Sequence, residues 1–169
     1  APSADERVMA RAFDPAYRST HPVRSVTADE AAFRILDGDR SLQIVDVRAE
    51  AKFKKASLPG AVNLRTEDLL GQAARDMLAR GDRETLFVGD TDEDAAAAAT
   101  VARELGAVRP AALQGGFAAF SRTILDAPAL AMPAGIDRDT WAFRLEAGPK
   151  IAALIKARGQ AATAKPKTK

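Results

Sequence analysis

The chain has 169 residues, 47% hydrophobic and 28% charged, with a net charge of +2, the balance of one globular domain with extensions at its ends. No apolar run approaches the roughly 20 residues that a membrane-spanning helix needs. The absence of cysteine excludes disulfides, thiolate metal centres and every mechanism with a cysteine nucleophile.

Charge is unevenly placed. From Arg144 to Lys169 there are seven Lys/Arg against one Glu, an excess of +6, while the rest of the chain carries −4. The pI of about 9.1 therefore reports a basic tail rather than a basic fold. With one Trp, one Tyr and no basic–aromatic stripe, nucleic-acid binding has no support. The start at Ala1-Pro2-Ser3 fits a processed terminus and points toward a bacterial periplasmic or other extracytoplasmic setting; a trimmed chain edge reads the same way.

Residues 1–24 are polar, contain Pro15 and Pro22, and offer one or two helical turns over Asp5 to Phe13. They read as an N-terminal arm lying on the domain. Ser25-Val26 is a short strand candidate. Thr27 is a good N-cap, with Glu30 completing a capping box. Ala31, Phe33, Ile35 and Leu36 form the apolar face of the helix that follows, and Gly38 ends it. Leu42 to Val47 is a buried strand. A short helix over Glu50 to Lys55, a turn at Leu58-Pro59-Gly60 and a strand over Ala61 to Leu64 come next. Thr66 to Arg80 has helical spacing, with Leu69, Leu70, Ala73 and Leu78 as core positions. Thr85 to Val88 is a third β-rich run, Asp94 to Leu105 an alanine-rich helix, and Pro110 to Leu113 the last strand. Gly115-Gly116 opens a helix over Phe117 to Leu125.

Strands alternating with helices at this spacing predict an α/β fold, a mainly parallel sheet covered on both faces. Ligands of such sheets sit at the carboxyl ends of strands, which directs attention to the loop after Val88. Residues 126–159 read as a linker and a helical C-terminal extension: a helix over Thr140 to Ala147, a break at Gly148-Pro149, and a short amphipathic helix with Ile151, Leu154 and Ile155 on one face. Trp141 and Phe143 are its anchors. Residues 160–169 read as a disordered basic tail.

Five segments, in order, resemble the rhodanese family. Thr27-Ala28-Asp29-Glu30-Ala31 is similar to the start of its first helix, and Ile44-Val45-Asp46-Val47-Arg48 to its Asp-Val-Arg strand. Leu58-Pro59-Gly60-Ala61-Val62-Asn63-Leu64 resembles its Ile-Pro-Gly-Ala segment. Glu104-Leu105-Gly106-Ala107 looks like the end of the helix after the active-site loop, and Leu113-Gln114-Gly115-Gly116-Phe117 like its Gly-Gly segment. The resemblance covers about residues 25–125. It implies a five-stranded parallel sheet with helices on both faces, with the arm and the C-terminal extension as additions. It also implies a cysteine directly after the fourth strand, in a loop whose backbone N–H groups and arginine cup an anionic substrate. Counting back from Gly106 puts the cysteine position on Gly89, the arginine position on Asp94 and the next serine position on Ala95; a shift of one residue would put the cysteine position on Asp90. Ser57 stands near the family's usual histidine.

The loop reads Gly89-Asp90-Thr91-Asp92-Glu93-Asp94-Ala95, with four carboxylates where the family presents a positive cradle. Glycine carries no sulfur, a carboxylate is not an equivalent nucleophile, and like charge repels thiosulfate or phosphate. The sequence thus predicts a degenerate member with a vestigial site, no sulfurtransferase activity and no cofactor. It would act as a protein-interaction, scaffolding or regulatory module on an unidentified protein partner.

Two alternatives share the acidic loop. Asp90, Asp92 and Asp94 have the spacing of half a calcium loop, but Ala95 replaces its turn glycine and Val101 its bidentate Glu. Acidic residues at a helix N-terminus need no metal to explain them. A residual enzyme using Asp90 as phosphoryl acceptor lacks any supporting motif. Residues 149–169, with Lys150, Lys156 and Arg158 flanking the apolar face, offer peripheral contact with a membrane or other anionic surface, or packing on the domain itself. His21, the sole histidine, lies in the arm beside Pro22, away from any Ser/His/Asp arrangement.

Overall fold

The computed structural model describes residues 1–164; the last five positions of the expected tail lie outside the described residues. Strands β1 (Arg24–Val26), β2 (Leu42–Asp46), β3 (Val62–Asn63), β4 (Glu84–Val88) and β5 (Ala111–Leu113) form one parallel sheet in the order β1-β5-β4-β2-β3. Side chains of a strand alternate between faces, and two cores result. Ile44, Leu86, Val88, Ala111 and Leu113 point into one core; Val45, Phe87 and Ala112 point into the other.

The second face is covered by α6 (Asp92–Glu104). Its fully buried Ala95, Ala98, Ala99 and Ala102 recur at helical spacing and let the helix lie close on the sheet. Buried Gln43 beneath this face is satisfied by Thr85 Oγ1 at 3.1 Å and Met77 O at 3.4 Å. The expected helix over Thr66 to Arg80 is a 3₁₀ turn at Thr66–Leu70 followed by α5 (Gln72–Leu78). Gly71, extended at φ −70°, ψ 155°, breaks it. The break rotates the helical face, so Ala74 is buried and Ala73 exposed.

The arm is α1 (Ala4–Ala12), capped by Ser3, and α2 (Pro15–Thr20), capped by Asp14. Val8 and Ala12 of α1 enter the second core. Glu104 at the end of α6 receives hydrogen bonds from Tyr17 Oη at 2.7 Å and Arg11 Nε at 2.9 Å, and Arg103 donates to the carbonyls of His21 and Pro22.

The first face carries α3 (Ala28–Leu36), α4 (Glu50–Lys55), α7 (Gly116–Phe120) with a π turn at Ser121–Leu125, and α8 (Arg138–Ala164). Here the structure corrects three expectations. Phe33 is 60% exposed rather than on the buried face of α3, where Ala28, Ala31 and Ala32 lie. The helix runs unbroken through Gly148-Pro149. Helical backbone also continues through residues 160–164, which the sequence assigns to a disordered tail.

An internal proline costs a helix about 3 kcal/mol. Packing outweighs that cost: Ala147 and Ile151, on either side of the pair, are fully buried in the first core. Gly148 is needed for contact, because a Cβ there would collide with Ile124 O of the π turn. Arg144 closes a bidentate pair with Asp29 of α3 at 2.9 and 2.7 Å. Of the expected apolar face, Ile151 is buried and Ile155 packs against the core, while Leu154 is 44% exposed. Trp141 and Phe143 are half-buried, and Phe143 packs against the first core.

Candidate functional site

The carboxyl ends of β2 and β4 lie side by side, Val47 N donating to Val88 O at 2.9 Å. The chain leaves β2 toward β3 and leaves β4 toward β5 on the other side. This divergence is the topological switch point at which parallel sheets bind ligands.

Around it, Asp46 and Arg48 form a buried pair, 0% and 6% exposed. Arg48 Nε lies 3.0 and 3.1 Å from the two carboxylate oxygens and Nη2 2.8 Å from Oδ2. Nη2 also donates to Ala56 O at 2.7 Å, and the guanidinium lies 4.2 Å from the centre of the Phe117 ring. Asn63 Nδ2 donates to the carbonyls of Asp46 and Arg48. The Asp-Val-Arg segment thus ties β2, the chain leading into Leu58-Pro59-Gly60 and α7 into one frame through charge-assisted bonds.

Three residues, Gly89, Asp90 and Thr91, join β4 to α6. The helix begins at Asp92, earlier than the expected Asp94, because Thr91 is its N-cap: Thr91 Oγ1 accepts from Asp94 N at 3.1 Å. Thr91 O accepts from Ala95 N at 3.3 Å, and Gly89 O from Phe117 N at 3.3 Å. Asp92 Oδ1 accepts from Gly115 N, and Lys52 Nζ of α4 lies 2.9 Å from Asp90 Oδ1. These donors around the loop are therefore met by acceptors of the chain itself, and the carboxylate of Asp92 is an internal anion at the helix N-terminus.

Gly89 is buried. A Cβ there would lie 3.1 Å from each of Thr91 O, Ala95 N and Asp94 Cβ, tighter than side-chain packing accepts without movement. Gly116 sits at φ +68°, and a Cβ on it would meet Gly89 O at 2.5 Å. The Gly-Gly segment is thus packed against the loop backbone.

The sequence-predicted residues 89–95 form one connected loop, with 90–94 exposed and Ala95 fully buried. Asp90, Asp92 and Asp94 do not converge: one faces Lys52, one Gly115, and Asp94 lies in the first helical turn. Among the described residues no group of three His, Asp or Glu side chains is arranged to hold a metal ion. His21 stacks on Tyr17 in the arm, ring centroids 4.0 Å apart. Ser57 is buried beside α4. Lys52 escaped the sequence reading, and Arg158, read there only as a flank of the C-terminal apolar face, takes a specific bonding role. Arg158 donates from Nη1 to Leu58 O at 2.9 Å and from Nη2 to Ala61 O, fixing the Leu58-Pro59-Gly60 turn. Nothing in the local sequence specifies either contact, since both depend on how helices dock.

The model of the rhodanese-like domain matches residues 27–123, and the chain belongs to that family. A rhodanese-like domain from Anabaena sp. is 25% identical, aligning over 67% of this chain and 86% of its own with a TM-score of 0.53. A single-domain sulfurtransferase from Saccharomyces cerevisiae is 17% identical over 59% of this chain and 89% of its own, TM-score 0.50. A Rhodopseudomonas palustris protein of unknown function, described as a possible tyrosine phosphatase, is 16% identical over 72% of this chain and 92% of its own, TM-score 0.51. At these identities the last two show the shared fold alone. No curated protein matches the chain.

Proposed function

We propose that this rhodanese-like domain is a non-catalytic module that works by contacting another protein. Two observations support the reading: the resemblance puts the family's cysteine position on Gly89, or on Asp90 with a shift of one residue, and neither carries a thiol, while the amides of Asp94, Ala95, Gly115 and Phe117 beside the loop already donate to Thr91, Asp92 and Gly89. Sulfur transfer through a persulfide needs a thiolate, and the chain has no thiol. The relatives named above include a sulfurtransferase and a possible phosphatase, so both chemistries define the test. Purified protein should release no thiocyanate from thiosulfate and cyanide, and no nitrophenol from p-nitrophenyl phosphate, above the buffer rate. Reproducible turnover that tracks the protein through two chromatographic separations would overturn the proposal. Isolation from the native source should recover a partner chain in fixed stoichiometry.

A further inference from the structure

Outside the vestigial loop, a groove of about 480 Å³ runs between α4 and the C-terminal part of α8. Phe53 and Ile155 give it an apolar lining, with Ser57 beside them, and Lys54, Lys55 and Arg158 a cationic one. No carboxylate lines it. Lys54 is paired with Glu50 at 2.7 Å, but among the described residues neither Lys55 nor Arg158 has an ion-pair partner. Arg158 is also fixed in place: it donates to Leu58 O and Ala61 O, and its guanidinium lies 5.2 Å from the centre of the Phe53 ring. An uncompensated cation beside an apolar lining is already positioned for a carboxylate, and its side chain has little freedom left to lose. Across Phe53 a second hollow of about 410 Å³ contains Glu50 and Asp68, so the uncompensated positive charge belongs to the first groove alone.

We infer that this groove docks an acidic segment of a partner protein, an apolar side chain resting on Phe53 and Ile155 while flanking carboxylates meet Lys55 and Arg158. The inference rests on the interaction-module reading and gives it a place and a partner chemistry. Apolar and cationic groups line the groove together with no carboxylate among them, which matches an apolar side chain flanked by carboxylates.

The test is a titration of ¹⁵N-labelled full chain with the peptide acetyl-Glu-Asp-Leu-Phe-Asp-Glu-amide, with acetyl-Lys-Lys-Leu-Phe-Lys-Lys-amide as control. Saturable shifts should cluster at residues 53–58 and 155–159, at roughly millimolar peptide or below, and should weaken as salt is raised. Lys55→Glu, a change at an exposed position, should reduce affinity by about tenfold or more with an unchanged melting temperature. Arg158→Gln, which also removes the bonds to Leu58 O and Ala61 O, should reduce affinity as well, read at a temperature where its own melting curve shows it folded. Shifts elsewhere, equal binding of the basic peptide, or full affinity in Lys55→Glu would each overturn the inference. So would Lys55-dependent binding to phosphatidylserine vesicles without binding to the acidic peptide. An inactive protein that ignores the peptide loses the groove but keeps the module reading; a protein that turns over thiosulfate loses the module reading whatever the groove does.

Discussion

Two glycines decide what the loop can hold. Placing a thiol in the loop as Gly89→Cys puts a Cβ 3.1 Å from two backbone atoms and one side-chain carbon. We expect a loss of about 1–3 kcal/mol in denaturant unfolding and no thiocyanate production; substantial turnover would show that the loop opens by itself. Gly116→Ala places a methyl group against Gly89 O at a backbone angle of +68°, and should cost at least about 1–3 kcal/mol, with the largest changes in hydrogen exchange at 89–95 and 115–120. A variant as stable as the parent would remove the close-packing argument. The absence of a thiol was legible in the sequence, because composition is absolute. The crowding around Gly89 was not, since it depends on Thr91 starting α6 two residues earlier than the run of alanines suggests. The acidic loop was also read too simply as a repulsive surface: Lys52 lies 2.9 Å from Asp90, and Asp92 takes the Gly115 amide.

Elements with two-residue or 3.6-residue periodicity were the legible part of the fold. Strands β2, β4 and β5 fall where continuous apolar runs place them, because both of their faces are buried, whereas β1 and β3 are short and largely exposed and were legible from the turns and helix caps beside them. What local rules missed lies where packing overrides propensity. Gly148-Pro149 is a strong stop signal, yet α8 passes through it with Ala147 and Ile151 fully buried. Phe33 reads as core, but small Ala31 and Ala32 take the core side of α3, leaving the ring beside Phe143 at 6.4 Å between centroids. The Arg144–Asp29 pair ties α3 to α8, with side chains 12% and 32% exposed. Arg144→Ala should destabilise the protein by about 1–3 kcal/mol and raise hydrogen exchange chiefly in the first half of α8. Exchange that rises equally along the whole helix would instead indicate that the helix leaves the domain as one body.

Across the whole molecule, pH acts on how the arm is held. The Tyr17 hydroxyl, and then Arg11, hold the Glu104 carboxyl below its usual 4.5. The same hydrogen bond, with burial behind it, raises Tyr17 above 10. A carboxyl with a lowered folded value contributes stability above its unfolded value and loses it as pH falls through the folded one; a raised tyrosine contributes below pH 10 and loses it on deprotonation. Arm docking should therefore weaken at both extremes, below pH 4.5 and above pH 10. Hydrogen exchange of α1 and α2 across that range, compared with Glu104→Gln, measures it; identical acid profiles for the two proteins would contradict this account. Asp39 adds a second acidic step. The Ser41 hydroxyl and Arg34 hold it at about 2 rather than 3.8, so its contribution fades between those values. Its lowered value belongs to the turn before β2, not to the arm, and the two steps are separable by site.

The arm rests on one face of the sheet and α8 on the other. Anything joined covalently to the two segments is therefore held on opposite sides of a plate only one sheet and its flanking helices thick. Fluorophores placed on α1 and on the C-terminal half of α8 would report that thickness as a fixed donor–acceptor distance. Mechanically, tension applied between these segments pulls outward on both layers at once, first loading the Glu104 and Arg144 contacts instead of the hydrogen bonds between strands.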